Sequence, residues 1–311
     1  MNARPLFALC SLLAAGAIAQ AAEPAPADEV VFRFAPPDGT RVTTVYTLER
    51  RRTTPDEPPV SDKAEARFEG RFRRVDGGFE FSQRTLSSSL ERNGQQVQDP
   101  VLQRLETAPF SATISAQGEL TEVRGFAEVE ALLRATWPPE QAAALAAVVN
   151  EATLAARARS DWNGRYARFA GATVQIGDVF DVQAPQPLPT GGSLTYTIRT
   201  SFPRWEPCPS GRCVRVEQVY ESDSAALAEI TNQLARRLAG ASSATAPAAA
   251  TPGPSARITG SLSRLIDPAT MLIHSERIER TLVLPLQGPG STTTTATQYE
   301  LRHYVHTYEA P

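Results

Sequence analysis

The sequence predicts an α+β fold: a strongly curved, mainly antiparallel β-sheet, half-barrel-like, with about three helices packed on its concave face. Long stretches alternate apolar and charged residues with period two, most cleanly between Lys63 and Arg73. Turn dipeptides such as Asp76-Gly77 and Gln117-Gly118 separate these stretches. Helical spacing occurs in a few segments only, and these interrupt runs of strands instead of alternating with them, which speaks against βαβ units.

At the N-terminus, Arg4 precedes an apolar run from Leu6 to Ala19, and Ala19-Gln20-Ala21 places small residues where a signal peptidase reads. A cleaved signal peptide is therefore expected over 1–21. The mature chain, 22–311, is expected to be a single domain, periplasmic or secreted, with no transmembrane span, because the apolar run is short for a bilayer. Cys10 follows Leu9, where a lipidated cysteine needs a small residue.

The first strand places Val42, Thr44, Tyr46 and Leu48 on one face. After a proline-rich turn at Thr54–Pro59, Ala64, Ala66, Phe68, Gly70 and Phe72 alternate with charged neighbours, the pattern of a strand with one solvated side. Phe79 and Phe81 begin the return strand. The apolar parity then slips to Leu86, Ser88 and Leu90, which predicts a bulge. A hairpin around Gln117-Gly118 leads into a helix through Phe126, Val129, Leu132, Leu133 and Thr136. Pro138-Pro139 ends that helix and can open a second, striped by Leu145, Val148, Val149, Ala152 and Ala156.

Thr173–Phe180 reads as one strand. A long hairpin follows, from Leu194, Tyr196, Ile198 and Phe202 to Val214 and Val216. A third helix fits Leu227, Ile230, Leu234 and Leu238, beginning near Ser222-Asp223 and stopping at Gly240. Residues 240–255 are Ala/Ser/Thr/Pro-rich without periodicity and read as a flexible low-complexity loop. Three strands, at about 256–267, 270–284 and 293–308, complete the sheet.

The chain has 31 basic and 34 acidic side chains, a net charge of −3. The charges are mixed along its length, with no basic stripe for a phosphate backbone, so nucleic acid is not an expected partner. Two of its three cysteines, Cys208 and Cys213, survive removal of the leader. They flank Pro209-Ser210-Gly211, and in an oxidising compartment this spacing reads as a disulfide closing a hairpin. Zinc needs about four ligands, and no second Cys or His pair lies nearby in sequence.

No catalytic, cofactor or metal site is expected. On a strand, His303 and His306 fall on opposite faces and cannot share a metal. Glu276 and Glu279 are likewise separated. Asp267 and His274 could be combined with Ser261 or Ser263 into a triad only if the fold gave each its role, and no Gly-x-Ser-x-Gly elbow is present.

Phe110–Gly125, Val174–Phe180 and Gly260–Thr270 together resemble a group of uncharacterised exported bacterial β-rich proteins. More distantly, the layout is similar to periplasmic lipoprotein-carrier half-barrels. The resemblance implies an exported β-rich fold and no catalytic residues. Function is then expected to be non-enzymatic: binding of a lipid or other hydrophobic ligand in a cleft lined by residues such as Phe68, Phe72 and Tyr196. A structural or interaction role in the cell envelope, with an envelope protein as partner and no small-molecule ligand, is the alternative, and in it the same face is closed core.

Overall fold

The computed structural model describes residues 28–98, 110–136, 150–187, 193–228, 256–287 and 293–309. The expected signal peptide, the part of the expected second helix before residue 150, the part of the expected third helix beyond residue 228 and the expected 240–255 loop lie outside the described residues. Fourteen strands and two complete helices are described: β1 Glu29–Val31, β2 Arg41–Thr53, β3 Val60–Val75, β4 Gly78–Arg92, β5 Gln95–Gln96, β6 Phe110–Ser115, β7 Leu120–Arg124, α1 Phe126–Thr136, α2 Glu151–Arg165, β8 Thr173–Gln175, β9 Val179–Pro187, β10 Ser193–Cys208, β11 Gly211–Ser222, β12 Arg257–Ile266, β13 Ile273–Gln287 and β14 Thr293–Glu309. A further helix begins at 224, where the Asp223 carboxylate accepts hydrogen bonds from the Ala225 and Ala226 amides.

Twelve strands form one sheet in the order β7-β6-β4-β3-β2-β14-β13-β12-β11-β10-β9, with β5 paired to β4. Neighbours are antiparallel throughout, and the sheet stays open at β7 and β9. The period-two reading fits: on β3, Asp62, Gly70 and Phe72 are buried while Lys63, Glu65, Arg67, Arg71 and Arg73 are exposed. The bulge falls where parity slips. Pairing passes from Arg67–Ser87 to Phe68–Thr85, leaving Leu86 unpaired and 45% exposed. Gly118, at φ 79°, makes the β6–β7 turn, and an added Cβ there would meet the Phe34 ring at 2.9 Å.

Two expectations need correction. Thr173–Phe180 is not one strand: Gly177 turns the chain at φ 96°, and the Asp178 carboxylate accepts the Gln175 amide at 2.8 Å. β8 therefore pairs with β1 in a separate two-stranded sheet, while β9 joins the edge of the large one. The second helix also runs beyond Ala156 to Arg165, and Ala152 and Ala156 are exposed. Its anchor is aromatic: the Trp162 ring packs tilted against Tyr166, with centroids 4.4 Å apart, and its Nε1 donates to the Gly118 carbonyl at 2.9 Å.

The covered face of the sheet is apolar at two ends. At one, Val30, Phe32, Phe34 and Phe169 from the small sheet and its flanks pack against Phe72, Phe79, Phe202, Val214 and Ile266. At the other, Leu194, Leu227, Ala256 and Ile258 form a smaller cluster. Between them the face is charged, with Arg264, Glu276 and Glu300 buried.

Candidate functional site

Alternation puts Arg264 on β12, Glu276 on β13 and His306 on β14 on the covered face, where α2 lies over them. Glu276 is 1% exposed. One of its carboxylate oxygens accepts from Arg264 Nε, and the other meets Arg165 of α2 at 3.0 Å. Burial alone would raise the Glu276 pKa, but the charges of Arg165 and Arg264 hold it below the usual carboxylate range. Burial also opposes the charge on Arg165, yet Glu276 raises its pKa and keeps it protonated. The Arg165 guanidinium sits 5.3 Å from the centre of the Tyr304 ring.

His306 faces this group beside Thr44, whose hydroxyl lies 2.8 Å from its Nδ1. Burial lowers its pKa to about 4, against an opposing pull from Glu276, so the imidazole is neutral at neutral pH. Glu276 is paired with arginines and His306 Nδ1 with Thr44, and among the described residues no hydrogen bond joins the two, so this carboxylate does not orient His306 as the third member of a triad would.

Two cavities flank α2. The first, about 400 Å³, lies between α1, α2 and strands β2, β3, β4, β6 and β14. Phe68, Phe81, Phe110, Phe126 and Trp162 line it, with polar side chains from Thr44 and His306 on one side, Gln83 and Thr85 on β4, and Asp161 and Arg165 on α2. The second, about 880 Å³, lies between α2 and strands β9 to β14, lined by Tyr196, Ile198 and Tyr220 of β10 and β11 and by arginines from both the α2 side and the sheet. Arg165 and Asp161 border both.

The expected cleft residues are therefore divided. Phe68 and Phe72 belong to the first cavity, Phe72 being also 3% exposed core against Phe34 and Phe81. Tyr196 lies across α2 in the second cavity, 5.9 Å from the Tyr220 ring.

Cys208 and Cys213 are bonded, with Cα atoms 5.8 Å apart, across the β10–β11 hairpin where Cys208 faces Gly211. The fold adds a neighbour the spacing did not show: His274 of β13 has ligand atoms within 4.8 Å of both sulfurs. As a disulfide, the sulfurs are not a thiolate pair for a metal. His274 Nε2 meets Ser210 Oγ at 3.2 Å and not Ser261 or Ser263, while the Asp267 oxygens accept from the Ala269 amide and the Thr270 hydroxyl. The imagined triad is not assembled. His303 and His306 do lie on opposite faces, one exposed and one turned to the first cavity.

No protein-family model matches this chain, and no curated protein is similar to it in sequence. Among solved structures it is similar to lipovitellin, in a structure of lipid–protein interactions, at 12% identity and a TM-score of 0.46 over 88% of this chain. It spans 26% of that protein's length. It is also similar to a candidate lipoprotein from Parabacteroides distasonis, at 9% identity and a TM-score of 0.26, covering 90% of this chain and 99% of that one. A candidate exported protein from Bacteroides fragilis is 10% identical with a TM-score of 0.23, over 86% of this chain and 97% of that one. Exported β-rich proteins are the group to which the three sequence stretches point, and superposition at this level establishes no shared site or ligand.

Proposed function

We propose that the chain is an exported, non-enzymatic protein that binds a hydrophobic ligand between a curved, half-barrel-like sheet and the helices on its concave face. In this reading residues 22–311 act as one domain in the periplasm or outside the cell, and the Cys208–Cys213 disulfide fits an extracytoplasmic compartment. The observation that carries the proposal is the aromatic-lined cavity of about 400 Å³ beside α1 and α2. Its volume is within the roughly 300–1,000 Å³ of ligand pockets, and its lining is largely aromatic with a small number of polar side chains, as in such pockets. Phe68 lines this space without belonging to the packed core, unlike Phe72.

The outward face favours water over bilayer as its neighbour. Arg41, Glu49, Arg51, Lys63, Glu65 and Arg67 project from it, and charges on a lipid-facing β surface are costly.

The test is fluorescence titration of the mature protein with N-phenylnaphthylamine, a neutral apolar probe. Saturable binding that falls at least about tenfold in Phe68→Asp, with cooperative unfolding retained, supports the reading. If that variant does not fold, Val129→Asp on α1 takes its place. No saturable binding, or binding indifferent to a folded variant, sinks the proposal.

A further inference from the structure

We propose that the second cavity takes the phosphate headgroup of an anionic lipid whose apolar part occupies the aromatic cavity. This rests on the hydrophobic-ligand reading and names the class of ligand. Asp161 and Arg165 of α2 line both cavities, which sets the arginine-lined space next to the aromatic one, within reach of one amphiphile bound across this part of α2.

The groove is cationic in a chain whose net charge is −3. Arg157, Arg165, Arg168, Arg264, Arg280 and Arg302 line it. Among the described residues, the carboxylates paired with these arginines are Asp161 with Arg157, Glu276 with Arg165 and Arg264, and Glu300 with Arg302. Among the described residues, Arg168 and Arg280 have no carboxylate partner. Arg264 is 4% exposed and its Nη1 is buried without a hydrogen-bond acceptor, as is Arg302 Nε.

A buried guanidinium N–H without an acceptor is costly, and an entering oxyanion supplies what these groups lack. Desolvation and the like charge of Arg264 also lower the Arg168 pKa, a penalty an anion relieves. Phosphate suits the site because a planar guanidinium binds its oxygens in pairs, and its charge matches the local excess. Tyr196, Ile198 and Leu262 give the glycerol and first methylenes an apolar wall.

Calorimetry on the mature protein tests this with short-chain phosphatidic acid, short-chain phosphatidylcholine and inorganic phosphate. Phosphatidic acid is expected to bind at least about tenfold tighter than either of the others, and more weakly as salt rises. In Arg168→Gln/Arg280→Gln its affinity falls at least about tenfold, while binding of neutral N-phenylnaphthylamine and the unfolding midpoint stay unchanged. Equal affinity for phosphatidylcholine, or unchanged affinity in the double variant, overturns the headgroup assignment and leaves the hydrophobic cavity standing if the neutral probe still binds. Inorganic phosphate binding as tightly as the lipid overturns it in favour of the free anion. Loss of probe binding in the parent protein is the separate failure of the hydrophobic-ligand reading.

Discussion

Glu276 and His306 depend on what the fold places opposite them. Glu276→Gln leaves Arg264 buried without its counter-charge, which should cost roughly 3–5 kcal/mol in urea unfolding. Glu279→Gln, on the other face in an exposed pair with Arg277, should cost less than about 1 kcal/mol. The His306 pKa lies near 4, below its ordinary 6.5, so the folded state binds fewer protons between those values. Its contribution to stability is complete above pH 6.5 and is lost as pH falls toward 4. The groups around it are Thr44 from β2, Glu276 and His274 from β13, Arg165 from α2, and Tyr304 and Tyr308 on its own strand. His306→Gln should flatten the midpoint-versus-pH curve in that window, leaving the fall below about pH 4.5 that belongs to carboxylates such as Glu276. Strand parity made the opposite faces of His303 and His306 legible. The same parity puts Asp62, Glu276 and Arg264 inside, but alternation reads a charge as outward unless its partner is known, and Arg165 and Arg264 are distant in sequence.

At the scale of elements, strands with one charged side were legible because the pattern is local. Lys63 to Arg73, the slip at Leu86 and the cysteine hairpin each needed only a few residues. β1 was missed because three residues make no period, and the break at Gly177 because one glycine between apolar residues looks like continuing strand. α2 escaped past Ala156 because it is held by Trp162, Arg165 and Tyr166 instead of an aliphatic stripe. The Cys208–Cys213 link fastens the tip of β10–β11. Its short loop predicts that Cys208→Ser/Cys213→Ser lowers stability by about 2 kcal/mol, read from chemical denaturation, with ligand binding unchanged because the tip lies outside both cavities.

Across the whole molecule, the covered face is apolar at its ends and ionic in the middle, and α2 crosses that middle. The sequence suggested a continuous aromatic surface with Phe68, Phe72 and Tyr196 in one cleft, because parity assigns a face and not a position along it. The fold instead sets an aromatic cavity beside an arginine-lined one, the arrangement expected for a ligand with an apolar body and an anionic end. Native mass spectrometry of the protein, purified without detergent from the extracytoplasmic fraction of cells expressing the full chain, tests this most directly. The account predicts a population carrying a non-covalent adduct of lipid mass, absent from Phe68→Asp. Protein of bare mass alone, with no adduct on adding phosphatidic acid, would contradict it.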